Sequence, residues 1–203
     1  MFNANILPRD FYLEDDVVLI SKKLLGKVIV TDIDNQVTLS TIVETEAYNG
    51  STDKACHAYP HLNTLRTQVM FKEGGRSYVY LCYGLHHLFN IVTNRENSPN
   101  AVLIRAVEPI LGLEAMELRR NKVKNPINWT NGPGKLASAL GISREYNDVK
   151  LYETGSPIWI GEEENDHEFE IIQTTRVGVD YAEEDALLLW RFYIKNNPYV
   201  SKK

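Results

Sequence analysis

The chain has 203 residues, 43% hydrophobic and 24% charged, which suits one domain spanning 1–203 with a sizeable core. Its two cysteines, Cys56 and Cys82, argue against a disulfide framework; the N-terminus lacks the charged start and apolar run of a secretory signal; and no stretch approaches the ~18 apolar residues of a membrane span. These features together predict a soluble cytoplasmic setting, and a net charge of −5 argues by itself against a polyanionic partner, so any nucleic-acid role must rest on local charge.

In chain order, Leu13 to Leu25 has helical spacing, with Val17, Ile20, Leu24 and Leu25 on one side and Gly26 as a stop. Lys27 to Ile33 alternates like a strand, Asp34-Asn35 reads as a turn, and Val37 to Tyr48 returns as a longer strand. Asn49 to Gly75 is polar and irregular. Strands are predicted at Tyr78 to Cys82, Asn90 to Thr93 and Ala101 to Val107, then a helix opened by Pro109 and running to about Arg120. A loop over Asn125 to Gly134 feeds a short helix, Lys135 to Leu140, stopped by Gly141. Short strands follow near Pro157 to Ile160, Phe169 to Gln173 and Leu188 to Ile194, with an acidic surface loop from Gly161 to Glu168. Charge is segregated: Met116 to Arg144 carries six Lys or Arg against Glu117 alone, and Leu151 to Glu170 carries seven acids with no Lys or Arg. Such a basic segment can bind a polyanion, although two solvated faces would look the same. Strands without regular strand–helix alternation predict a mixed α+β fold with a largely antiparallel, curved sheet.

Several residues carry chemistry. Period-two alternation puts Glu44, Glu46 and Tyr48 on one face of an otherwise apolar strand. They are either solvated acids on a surface face or a general base beside an aromatic wall. Arg105 interrupts the apolar strand Val102 to Val107. A buried guanidinium needs a partner, and Glu46 is a candidate. The pair could be structural, or it could hold one water, Glu46 taking its proton and Arg105 orienting it. Gly132-Pro133-Gly134-Lys135-Leu136 lacks the spacing of a triphosphate loop and has Leu136 where Ser or Thr belongs. It remains a generic anion seat through Gly134 and Lys135 at a helix N-terminus, suited to a backbone phosphate. Five histidines occur, at 57, 61, 86, 87 and 167; the spacing of Cys56, His57 and His61 matches no strong zinc pattern, so no metal is expected. Tyr78, Tyr80 and Tyr83 crowd one short segment that ends at Gly84.

Seven blocks converge on one resemblance: Ile42 to Tyr48, Ala55 to Ala58, Arg76 to Thr93, Leu103 to Pro109, Asn131 to Leu136, Arg176 to Val179 and Trp190 to Tyr193. In order and spacing they resemble the alkyladenine DNA glycosylase family over roughly Leu13 to Ser201. The resemblance implies one compact domain around a curved, open barrel-like antiparallel sheet with flanking helices. It implies an enzyme of base-excision repair that flips alkylated or deaminated purines from duplex DNA. The lesions are of the 3-methyladenine, 7-methylguanine, hypoxanthine and ethenoadenine class. The N-glycosidic bond is hydrolysed to an abasic site; with no lysine in the catalytic motifs to form a Schiff base, no lyase activity is expected, and no cofactor or metal is implied. By motif position Glu46 is the implied general base, and Arg105 and the Val177 carbonyl are the water's other contacts. Tyr48, His57 and Tyr80 are the implied base pocket, Asn90 the residue crowding the amino group of normal guanine, and Tyr83 the wedge. Lys135 and Gly134 are placed at the DNA backbone, and Tyr78 is read as core or as backing for the pocket. The expected partner is double-stranded DNA with damaged purines, bound by a monomer without a membrane role, in the cytoplasm and at the nucleoid if the source is bacterial.

The sequence departs from the family pattern at Glu73 and Leu189, where proline is common, and in the acidic run Asp180 to Asp185. A non-catalytic nucleic-acid module on the same fold is the main alternative, and a histidine-metal hydrolase a more distant one. The presence of both Glu46 and Arg105 speaks against the first.

Overall fold

The computed structural model describes residues 4–121, 123–163 and 168–203. Lys122 of the basic segment and Glu164, Asp166 and His167 of the acidic stretch lie outside the described residues. In chain order the elements are β1 (Ala4–Ile6), α1 (Val17–Lys23), β2 (Val28–Ile33), β3 (Gln36–Asn49), β4 (Ser77–Cys82), β5 (His86–Thr93) and β6 (Asn100–Leu111). There follow α2 (Leu113–Arg119), α3 (Ile127–Thr130), α4 (Pro133–Leu140), β7 (Ile158–Glu163), β8 (Ile171–Thr174) and β9 (Arg191–Ile194). Short 3-10 turns link several of them.

The strands form one antiparallel sheet in the order β1-β7-β2-β3-β6-β5-β4, which does not close on itself. The α+β expectation therefore holds. β3 is the axis of the sheet. One of its edges pairs with β6 from Leu39 to Asn49. Its other edge is shared: β2 takes Gln36 to Thr41, and β9 takes Glu44 to Glu46, with β8 beyond it. Where β9 takes over from β2, the β3–β6 register slips twice. Val43 is the extra residue on β3, between the pairs Ile42–Val107 and Glu44–Ala106. Arg105 is the extra residue on β6, between Glu44–Ala106 and Thr45–Ile104. A bulge bends its strand and re-aims a side chain. Both bulges fall where the chain carries charge into the interior.

The main core packs α1 and α4 against the sheet through Ile20, Leu24, Leu136 and Leu140 on one side and Ile29, Phe89 and Ile104 on the other. A smaller core lies beyond it, made by Cys56, Met70, Phe71, Tyr78 and Val92, with Tyr48 and Tyr80 packed against it. That second cluster supports the site described below.

Several boundaries differ from the sequence reading. The predicted loop Asn125 to Gly134 holds the short helix α3, and α4 begins at Pro133, two residues before Lys135, because proline suits the first turn of a helix. The first helix starts at Val17, not Leu13, because the Asp16 side chain accepts from the amides of Val18 and Leu19 at 2.8 and 3.1 Å and caps it there. Pro109 does not open a helix. It continues β6, opposite Ser40 at a register shift, where a strand tolerates the missing N–H. The turn comes at Gly112, with φ of 80°, where a Cβ would sit 2.3 Å from the Val37 carbonyl. The acidic stretch is also less of a loop than predicted, since β7 runs on to Glu163.

α1 is fastened to the axis strand by two hydrogen bonds, Ser21 Oγ to Thr45 Oγ1 at 3.0 Å and Thr45 Oγ1 to the Ser21 carbonyl at 2.9 Å. Thr45 separates Glu44 from Glu46, so the cap of α1 supports the site indirectly. Asp16→Ala should cost about 1 kcal/mol, or about 2–4 °C in Tm for a chain of this size, and Asp16→Asn should recover most of it. Thermal denaturation of the three proteins checks this.

Candidate active site

Glu44 and Glu46 are fully buried on the β3 face predicted for them, and Arg105 and Arg191 are 7% and 5% exposed beside them. Glu44 Oε1 accepts from Arg191 Nη1 at 2.9 Å and Arg105 Nε at 3.2 Å, and its Oε2 accepts from the Ser201 amide at 2.6 Å. Arg191 is held further by the carbonyls of Thr175 and Lys202 at 2.9 and 2.7 Å, so the C-terminal segment closes over the charges. Glu46 Oε1 accepts from the Val177 amide at 2.8 Å. Its Oε2 accepts from Tyr48 Oη at 2.7 Å and faces Arg105 Nη1 at 3.3 Å. The bulge at Arg105 lets one guanidinium reach both carboxylates, where a regular strand would offer it to one neighbour. Burial opposes the Arg105 charge, but Glu46 and Glu44 outweigh it and hold the guanidinium firmly protonated. The Tyr48 phenol is pushed well up, by burial first and then by the Glu46 charge, so it stays a donor. A carboxylate offers about four lone-pair positions, and these contacts leave Glu46 capacity for one more donor.

A second buried ion pair, which sequence reasoning missed, backs the first. The side chains of Arg176 and Asp53 are both fully buried and joined through two N–H bonds. Arg176 also donates to the carbonyls of Ala47 at 2.9 Å and Asp185 at 3.0 Å, and its guanidinium lies 4.8 Å from the centre of the Tyr48 ring. It thereby ties the strand carrying Glu46 to the segment carrying Val177. Asp53 in turn accepts from the Ala55 amide at 3.0 Å and fixes the loop that presents His57.

A cavity of about 640 Å³ opens onto this network. Tyr48, His57, Tyr80, Tyr83, Asn90, Arg105 and Val177 all line it, while Glu46 sits behind Arg105 and Val177. His57 Nδ1 is 2.9 Å from Tyr78 Oη, and its Nε2 is 3.2 Å from Arg66 Nη2. A guanidinium only donates, so Nε2 accepts and the proton of the neutral ring is assigned to Nδ1, pointing at Tyr78. Burial, and then the Arg66 charge, lower His57 to about 4. Tyr78 is 3% exposed and serves as the backing foreseen for it. Tyr80 meets His57 edge to face at 4.6 Å between ring centres. Asn90 is 5% exposed, and its Nδ2 donates to the Tyr78 carbonyl at 3.0 Å.

Tyr83 is 95% exposed at the tip of the β4–β5 hairpin. Tyr83 and Gly84 have φ of 49° and 71°, positive at both central positions as a type I′ turn requires. The hairpin thus holds a large aromatic ring out at the cavity mouth. Gly134 and Lys135 lie in the first turn of α4 and line an adjacent cavity of about 670 Å³ with His86, His87 and Arg120. A Cβ on Gly134 would come 2.9 Å from the His86 Cβ, so only glycine lets the two elements close. Lys135 Nζ is held by Asn131 Oδ1 at 2.8 Å. Not all of the basic segment faces outward. Arg119 donates to the carbonyls of Ile33 and Ala139 at 2.9 and 3.4 Å and acts within the fold.

Glu73 and most of the acidic run are accommodated locally, while Leu189 stands half exposed. Glu73 forms an ion pair with Arg9. The acids Glu183 and Glu184 close on Lys54 at 2.6 and 2.7 Å, and Asp185 accepts from the Lys54 amide at 2.8 Å. His61 packs edge-on against Phe71 at 5.0 Å.

Residues 10–198 match the family described as Methylpurine-DNA glycosylase (MPG). A protein of Natranaerobius thermophilus named "Putative 3-methyladenine DNA glycosylase" is 44% identical, with 94% of this chain and 96% of the relative covered. Proteins of the same name from Clostridium botulinum and Chlamydia abortus are each 46% identical. The first covers 98% of this chain and 100% of the relative, the second 94% and 100%.

His57 should resist protonation. Its folded value of about 4 lies below the ordinary 6.5, so the unfolded chain takes up this proton first. Stability is therefore unaffected by His57 above pH 6.5 and is lost as the pH falls from 6.5 towards 4. Imidazole carbon and nitrogen NMR shifts should report a neutral ring with its proton on Nδ1 down to about pH 4. A midpoint near 6.5 would contradict the arrangement.

Proposed function

The chain belongs to the methylpurine-DNA glycosylase family, and on that footing we propose that it flips damaged purines out of duplex DNA and hydrolyses their glycosidic bond with a water activated by Glu46. The observation that carries this reading is the buried Glu46 carboxylate, held by Arg105, Tyr48 and the Val177 amide behind the wall of a tyrosine-rich cavity.

The flipped base enters between aromatic faces, Tyr48, Tyr80 and the His57 edge, where stacking replaces part of what the duplex gave up. Tyr83, already outside the fold, fills the vacated space in the stack. One water stands at the cavity wall near Arg105 and Val177, its proton directed at Glu46. As the C1′–N bond breaks, the sugar gains cationic character, which the carboxylate stabilises. The water oxygen bonds to C1′, its proton passes to Glu46, and the bond electrons leave with the base. A purine alkylated at N3 or N7 departs neutral, whereas hypoxanthine or ethenoadenine departs as an anion and takes its proton from solvent. Asn90, buried and anchored to the Tyr78 carbonyl, limits the room for the amino group of normal guanine. Lys135 and Gly134 meet a backbone phosphate beside the α4 N-terminus. The chemistry leaves no role for a Schiff base, metal or cofactor, and we place the protein in the cytoplasm as a monomer.

The test is incubation with duplexes each carrying 3-methyladenine, 7-methylguanine, hypoxanthine or ethenoadenine. Strand scission should appear only after alkali, which reveals an abasic site. Scission without alkali, or a borohydride-trapped protein–DNA adduct, would refute the monofunctional assignment. Intact strands with every lesion would refute the activity.

A further inference from the structure

Arg66 was not singled out by its sequence context, yet it lines the cavity with Tyr80 and His57. Its guanidinium lies 4.8 Å from the centre of the Tyr80 ring, and Nη2 is 3.2 Å from His57 Nε2. Among the described lining residues there is no carboxylate, and the other arginine, Arg105, is answered by Glu44 and Glu46. Among the described residues no carboxylate pairs with Arg66 within 4.0 Å. Burial pushes the Tyr48 and Tyr80 phenols up and keeps them neutral, and His57, lowered to about 4, contributes no charge at pH 7. The network below the cavity cancels internally, so Arg66 leaves the base site with one uncompensated positive charge.

We propose that Arg66 is a specificity-determining residue that tilts the base pocket towards neutral lesions and against cationic ones. This rests on the reading that the cavity receives a flipped purine. Purines alkylated at N3 or N7 carry a positive charge while still joined to the sugar, whereas hypoxanthine and ethenoadenine do not. A guanidinium over one stacking face also draws on the ring's negative quadrupole, which would otherwise attract a cationic base. Both effects have the same sign. Arg66 is itself exposed, so solvent screens them, and they set a ratio between lesions without abolishing either.

The experiment compares single-turnover release of 7-methylguanine and hypoxanthine from otherwise identical duplexes by the native protein, Arg66→Gln and Arg66→Lys. Any contact of Arg66 with DNA phosphates alters both rates by a common factor, so the ratio is the readout. Arg66→Gln should raise the 7-methylguanine to hypoxanthine ratio by about threefold to tenfold, an effect that shrinks as salt rises. Arg66→Lys should keep the native ratio, because the charge remains. An unchanged ratio in Arg66→Gln, or equal losses on both lesions, would overturn the proposal and make Arg66 a phosphate contact. Native protein that releases neither base would instead reject the glycosylase reading, and this inference with it.

Discussion

Two glutamates spaced two apart on a buried strand cannot both stay charged unless other groups take the place of water. Moving a carboxylate into a low-dielectric interior costs several kcal/mol even after relaxation, and its partners must offset that. Here Arg105 spans Glu44 and Glu46, while Arg191 and the Ser201 amide complete Glu44. Much of the fold follows from meeting this requirement. β6 carries its bulge at Arg105, β9 replaces β2 on the edge of β3 at Glu44 to Glu46, and the C-terminal segment folds back over the pair. Glu44 takes up most of the positive charge's structural work. That leaves Glu46, with its ligands Tyr48 and Val177, free for chemistry on the cavity side.

The second ion pair extends the same logic outward. Arg176 and Asp53 join the end of β3 to the His57 loop and to the segment before Val177. The groups that would meet a flipped base are thus set by buried, hydrogen-bonded charge. The group that would meet the duplex, Tyr83, is held only by a two-residue turn in the open. A rigid pocket with an exposed probe is what base extrusion asks for: the pocket must be formed before the base arrives, and the wedge must reach beyond the protein surface.

Much of this was legible in the sequence because it depends on local period and on the cost of burying charge. Alternation placed Glu44, Glu46 and Tyr48 on one face, and the Tyr48–Glu46 hydrogen bond shows that they share it. An arginine inside an apolar strand demanded a carboxylate, and Arg105 has two. Arg191 sits in its strand in the same way, and that signal was open to the same argument. What could not be read was pairing at long separation without a local pattern. Arg191 meets Glu44 across 147 positions, and Arg176 meets Asp53 across 123. Arg66 lies in a loop whose path depends on packing around Met70 and Phe71. The start of α1 and the length of β6 were misjudged for opposite reasons. Asp16 overrode helical spacing at one end, and tertiary pairing overrode the helix preference of Pro109 at the other.

The central claim is that the carboxylate of Glu46 activates water for base release. It is tested most directly by single-turnover release from a lesion duplex that the native protein processes, measured for the native protein and Glu46→Gln alongside duplex affinity. Glutamine keeps the size of the side chain, and its one carbonyl oxygen can still accept from the Val177 amide, but the amide nitrogen that replaces the other oxygen only donates, so it can neither accept from Tyr48 nor take the water's proton. The account predicts an intact fold, unchanged affinity and a rate lower by about 10²–10⁴-fold. Release by Glu46→Gln at close to the native rate would contradict it and move the chemistry elsewhere in the cavity.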